Sequence, residues 1–216
     1  MAYLNWDTKI ITDFSPENIE KMYEDGYVFT RVDHGVMNKT RSFRVKLSDF
    51  EMSSENRRIL RKVKHLKLEA SLIPYRDYSW KISKLAKDFY KNRDAKFSAN
   101  KIKKLLTDKK TNFNTLFTYK DTRNESIVGY VICYESFIIL HYSFPFYVEN
   151  SNEPSLGLGM MIQAINYTKE KDLKYIYLGS LQRPSDTYKL QFSGGEWFDG
   201  KSWQEDTDSL RFILKN

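Results

Sequence analysis

"PSLGLGMMIQAINYTKEKDLKYIYLG", residues 154–179, is the stretch on which the reading of this chain turns. Two glycines, Gly157 and Gly159, open an amphipathic run that a β-rich segment closes. Met160, Met161, Ala164, Ile165 and Thr168 recur at helical spacing, which predicts a helix over 156–171 with one face packed on a sheet. The backbone N–H groups at a helix start form an anion site, and glycines there let a phosphate come close. A Gly-x-Gly also serves simply to begin a helix, so the turn alone leaves both readings open.

Working outward, three strands precede this turn: "TLFTYKD", "SIVGYVICYE" and "SFIILHYSFPFYV", the first two joined by a polar turn at 121–125. Pro145 in the third cannot donate to a ladder and predicts a bulge or break. "KYIYLG" is a further strand, and "DTYKLQFSGGEWFDGKSW" ends in a hairpin before a short tail, "SLRFIL". Strands, then a helix, then another strand make a mixed α/β (α+β) order with one parallel crossover.

The first 113 residues read differently. "SPENIEKMYEDG" carries an N-cap, Ser15, a proline at the first helical position and a closing glycine, Gly26. "YVFTRV" (27–32) and "TRSFRVKL" are predicted strands around a turn-like "DHGVMNK". "SSENRRILRKV" is a short basic helix, "LKLEASL" a strand, and "WKISKLAKDFYKNR" and "SANKIKKLLTD" two more helices, the latter capped by Ser98. The expected division is a basic N-terminal region, 1–113, packed on a core, 114–216.

Composition narrows the classes. Hydrophobic residues make up 41% and aromatics 15% of 216 residues, enough to bury a core. No apolar run approaches the length that spans a bilayer. "MAYLNWDTKIITDF" lacks the basic and apolar regions of a secretion signal, so a cytoplasmic protein is expected. The one cysteine, Cys133, lies between Ile132 and Tyr134 and reads as buried filler, which leaves no internal disulfide. Thirty-five bases against 28 acids give a net charge of +7, concentrated between Arg57 and Lys110. Such clustering favours polyanions, although a basic run is also an ordinary solvated helix face. His34 and His65 have no ligand-like neighbours in sequence, and no metal site is expected.

The order of elements resembles the acetyltransferase fold of the GNAT superfamily, in which a mixed central sheet is flanked by helices. "LGLGMMIQAINYTKEKDLKYIYLG" sits where that superfamily keeps its pyrophosphate loop, helix and following strand. "PSLGLGMM…KYIYLG" followed by "YK" is similar to the C-terminal region of arginyl-tRNA–protein transferases. Upstream, "RVDHGVMNKTRSFRVKLSDFEMSSENRRILRKV" also resembles that family, through Phe50, Ser53 or Ser54, and Arg57 and Arg58. "YKLQFSGGE" is similar to an element of the Fem-type ligases, which take amino acids from tRNA on the same fold. Two departures stand out. "VDHGVMNK" lacks the arginyl-transferases' cysteine cluster, so iron–sulfur or other metal regulation is not expected, and "SLQRPSDTYK" departs from their spacing and leaves the acceptor open.

The resemblance implies an aminoacyltransferase that moves an amino acid from aminoacyl-tRNA to an amine such as a protein or peptide N-terminus. It implies no cofactor and no membrane partner. An acetyl-CoA-dependent N-acetyltransferase and a non-catalytic member of the fold are the alternatives. Donor binding falls to Ser155, Leu156, Gly157, Leu158 and Gly159, and the grip on tRNA to Arg57, Arg58, Arg61, Lys62 and Lys64. Transfer to an amine needs the amine's proton removed, the oxyanion stabilised and the leaving group protonated. Tyr188 is the candidate acid, and Lys189 the flexible charge for phosphate or oxyanion. Glu135 and His141 are candidates to relay the amine's proton, a lone histidine on a strand being also an ordinary core residue.

Overall fold

The computed structural model describes residues 4–91, 93, 97–149 and 153–215. The chain divides into two units: residues 1–53, 136–141 and 168–216 form the first, and residues 54–135 and 142–167 the second. The boundary expected at 113/114 falls inside the second unit.

The first unit opens with β1 (Asp7–Ile10), α1 (Pro16–Glu24), β2 (Tyr27–Phe29), β3 (Val36–Lys39) and β4 (Ser42–Lys46). Proline pre-sets the first turn of α1, and Ile19, Met22 and Tyr23, at i, i+3 and i+4, are its buried face. β1, β3 and β2 make a small antiparallel sheet with β3 in the middle. "VMNK", assigned to a turn, is β3, and the strand expected over 27–32 stops at Phe29. Pairing on both edges overrides the weak local preference of a segment rich in turn residues.

β4 belongs to the larger, eight-stranded mixed sheet. In the first unit its order is β11 (Trp203–Gln204), β10 (Gly195–Phe198), β4, β9 (Tyr175–Ser180) and the start of β8 (Ile139–Tyr147). β4 is antiparallel to both neighbours, Arg44 standing opposite Glu196 on one side and Tyr177 on the other. β8 and β9 are parallel, with His141 opposite Tyr177, which is the crossover expected from the sequence. Between β9 and β10 the "DTYKLQ" segment winds into a 3-10 helix, Pro184–Gln191, and the tail forms α6 (Thr207–Lys215).

The second unit holds α2 (Ser54–Lys62), β5 (Leu66–Leu72), α3 (Trp80–Lys91), α4 (Ala99–Thr107), β6 (Thr115–Asp121), β7 (Ser126–Glu135), the remainder of β8 and the bulk of α5 (Leu156–Glu170). Each of these elements was expected. Ser98 caps α4 by accepting from the Lys101 N–H at 3.2 Å. β8 runs unbroken through Pro145 to Tyr147, and the Pro145 carbonyl accepts from the Tyr90 hydroxyl at 2.8 Å. On α5 the predicted face is buried from Met160 to Ile165, and the Tyr119 hydroxyl donates to the Met160 carbonyl at 2.8 Å. Cys133 is buried, and burial raises its thiol well above the usual range, so it is no nucleophile.

Candidate functional site

In the first unit the site residues gather at the C-terminal end of β9. Gly179 turns the chain there with φ +82, a conformation that a side chain would strain. The chain then enters the 3-10 helix, which leaves Tyr188 45% exposed and buries the next residue, Lys189. The Lys189 ammonium donates to the Ser180 carbonyl at 2.9 Å. Among the described residues no carboxylate lies within ion-pair distance of it, and burial lowers its proton affinity. Lys189 is therefore not the flexible charge expected from the sequence. It is a fixed, desolvated cation beside an accessible phenol.

His141 is also buried. Its Nδ1 lies 2.8 Å from the Tyr23 hydroxyl, which in turn accepts from the Phe29 N–H at 3.4 Å. Burial, assisted by the Lys189 charge, pushes its pKa down to about 3. An imidazole with so low a proton affinity is a poor base. Tyr23 is the partner that the sequence did not reveal.

A second buried cation in this unit, Arg44, also escaped the sequence reading. Its Nε donates to Glu196 at 2.6 Å and its Nη1 to Glu24 at 2.6 Å and to the Tyr177 hydroxyl at 3.1 Å. The guanidinium lies 3.8 Å from the Tyr175 ring centroid and 3.9 Å from that of Trp203. Cation–π stacking and ionic hydrogen bonds surround it, so it stays charged.

In the second unit, Glu135 ends β7 under tight control. Asn114 donates to its carbonyl at 2.7 Å and accepts from its N–H at 2.8 Å, while the Tyr167 hydroxyl donates to its carboxylate at 3.2 Å. Glu135 thus keeps a fixed, half-buried carboxylate. Leu156 and Gly159 are buried, whereas Ser155, Gly157 and Leu158 are partly accessible. The Ser155 carbonyl accepts from the Gly159 N–H at 2.8 Å and starts the helix.

The two glycines have a packing reason. A Cβ on Gly157 would fall 2.4 Å from the Tyr147 hydroxyl, and one on Gly159 would fall 2.5 Å from Val63. Close approach of side chains therefore accounts for both glycines without any phosphate. α2 turns Asn56, Ile59 and then Val63 inward, leaving Arg57, Arg58, Arg61, Lys62 and Lys64 exposed. Arg58 donates to Glu55 at 2.6 Å.

His65, Asp121 and Glu153, far apart in sequence, have ligand atoms within 4.8 Å of one another. No sequence spacing announced this cluster, because each residue ends or precedes a different element.

Among the described residues no helix is long and apolar enough to cross a membrane. No protein-family model matches the chain, and no curated protein matches it by sequence. Solved structures similar to it include L-PGS from Bacillus licheniformis, at 11% identity and TM-score 0.48, over 93% of this chain and 69% of that one. Another is the GCN5-related glucosamine N-acetyltransferase region of a fungal multi-domain GH3 β-N-acetylglucosaminidase, at 11% identity and TM-score 0.47, over 88% of this chain and 22% of that one. FemX is similar at 10% identity and TM-score 0.46, over 77% of this chain and 60% of that one. The mixed architecture itself rests on this chain's own strand order, with β8 and β9 parallel across α5.

Proposed function

We propose that this protein is a GNAT-type aminoacyltransferase that moves an amino acid from aminoacyl-tRNA to an amine acceptor such as a protein N-terminus. Arginine is the donor amino acid that the sequence resemblance suggests. The observation that carries this reading is Lys189, buried against the Ser180 carbonyl next to exposed Tyr188, in the segment where the resemblance sets a Tyr-Lys pair. A desolvated ammonium on a rigid turn suits an oxyanion better than it suits a loosely held phosphate. The exposed bases of α2 support a polyanionic donor.

The reaction exchanges one bond for another. The acceptor amine attacks the ester carbonyl carbon, the C–N bond forms, and the C–O bond to the ribose breaks. The nitrogen loses a proton and the departing ribose oxygen gains one. Lys189 stabilises the tetrahedral oxyanion, and the Tyr188 hydroxyl supplies the proton to the leaving oxygen. The proton lost by the amine falls to a carboxylate or to water, since His141 is too weak a base.

The test is transfer from a panel of radiolabelled aminoacyl-tRNAs, and from acetyl-CoA, to a peptide library. Product from a charged tRNA, with donor binding that weakens steeply as salt rises, is the expected result. Product from acetyl-CoA alone, or no product with either donor, overturns the proposal.

A further inference from the structure

We infer that His65, Asp121 and Glu153 form a binding site for a divalent transition-metal ion of the zinc class, with Arg123 as the counter-ion that the metal displaces. All four residues lie in the second unit. Leu66 pairs with Asp121 across β5 and β6, which brings His65 beside the end of β6. The N–H and hydroxyl of Thr122 both donate to the His65 carbonyl at 2.9 Å and fix its backbone. Glu153 precedes α5, and its carbonyl accepts from the Leu156 N–H at 3.0 Å.

The decisive observation is the imidazole. The His65 side chain is only 10% exposed, and its Nε2 points at Glu153 Oε1 from 3.4 Å. That nitrogen is sealed from solvent and makes no hydrogen bond. A buried polar atom without a hydrogen bond is costly. A cation between the imidazole and the carboxylate answers that cost. A spacing of 3.4 Å is also about the edge of a tetrahedron around a metal whose bonds are about 2.1 Å long.

Arg123 shows what charge the carboxylates require. Its Nη2 donates to Asp121 and to Glu153, each at 2.6 Å, and its Nε donates to Asp121 at 2.9 Å. The Arg123 side chain is 56% exposed, so it is free to swing into water. One imidazole with two carboxylates suits zinc, or a neighbouring first-row ion, better than calcium or magnesium, which prefer all-oxygen shells.

The test uses the untagged full chain after dialysis against a chelator, titrated with zinc chloride or magnesium chloride and followed by calorimetry. Cobalt(II) serves as a spectroscopic probe. The expected result is one zinc ion per chain, weakened at least tenfold in His65→Gln and unchanged in His34→Gln, with magnesium far weaker. Arg123→Ala removes the competitor, so it should bind zinc at least fivefold more tightly. Visible absorption of bound cobalt should vanish in His65→Gln. Equal zinc affinity in the parent and His65→Gln, or stoichiometric binding lost in His34→Gln, overturns the site. Should Arg123→Ala fail to fold, the comparison of the parent with His65→Gln decides alone.

Discussion

Among the described residues of the first unit, the cations Arg44 and Lys189 are buried, and their surroundings are opposites. Arg44 has two carboxylates, a phenol and two aromatic faces around it, and its proton affinity is raised. Lys189 has one carbonyl, the Tyr188 ring 5.8 Å away and the more distant charge of Asp186, and burial outweighs them, so its proton affinity is lowered. The first arrangement offsets the desolvation of the charge in full. The second leaves part of that cost in place, which a structural role does not require. Under the proposed function, a group desolvated in this way next to an exposed phenol is where the charge of the tetrahedral intermediate develops. The difference separates a cation whose charge its neighbours neutralise from one whose charge they leave largely uncompensated.

The largest expected effect lies at Arg44. Arg44→Ala strands Glu196, a buried carboxylate, and should cost about 3–5 kcal/mol of stability. A denaturant melt measures this, and a loss below about 1 kcal/mol would remove Arg44 from its structural role. At Lys189 the expected effect moves from stability to rate. Lys189→Met replaces a desolvated charge with an apolar chain of similar length, so stability should hold or rise. Transfer at saturating donor should fall about a hundredfold. An unchanged rate in the folded variant would make Lys189 a packing residue.

The neighbouring histidine sharpens the contrast through pH. The pKa of His141 lies at about 3 in the fold, against 6.5 for the free side chain, so the unfolded chain binds the proton more readily. Its cost therefore appears as pH falls below 6.5 and is complete below about 3. At pH 5 it amounts to about 2 kcal/mol. His141→Gln removes the titration and keeps a partner for Tyr23, so stability in this window should lose that slope. An identical acid limb in parent and variant would assign the slope to other groups.

The smallest effect concerns the glycine turn. Gly157→Ala pushes a methyl against the Tyr147 hydroxyl and should cost about 1 kcal/mol, read as a lower melting temperature. Donor affinity in the folded fraction should be unchanged. A loss of donor affinity without loss of stability would restore the phosphate-cradle reading of that turn.

Much of the fold was legible because local signals agreed with it. Pro16, the Ser98 cap and the period of Met160 to Thr168 each state a helix, and β6 to β9 carry the β-branched and aromatic residues of strands. What stayed hidden depends on distant partners. "VMNK" becomes a strand only because β1 and β2 flank it, and "SFRVK" gives no sign that it will lie between β9 and β10. The same limit applied at the candidate site. Tyr188 and Lys189 were picked out as a pair, but a sequence does not state that the second is buried and the first is not. His65, Asp121, Arg123 and Glu153 carried no spacing signal, since three different element ends supply them.

The place of β4 in the sheet has a consequence for how the chain reaches its native state. Arg44 meets Tyr177 across 133 positions of sequence, and β10 pairs with the same strand from the other side. During synthesis the first segment emerges long before either neighbour exists, and its ladder groups must wait in water. Closure of so long a loop is an entropic barrier, so assembly of the first unit should be the slow, late step. Until it finishes, β9 and β10 each present an open edge, the kind of surface on which chains aggregate. A shortened chain lacking the first 53 residues would carry those edges permanently, so the N-terminal segment acts as the folding guard of the C-terminal one.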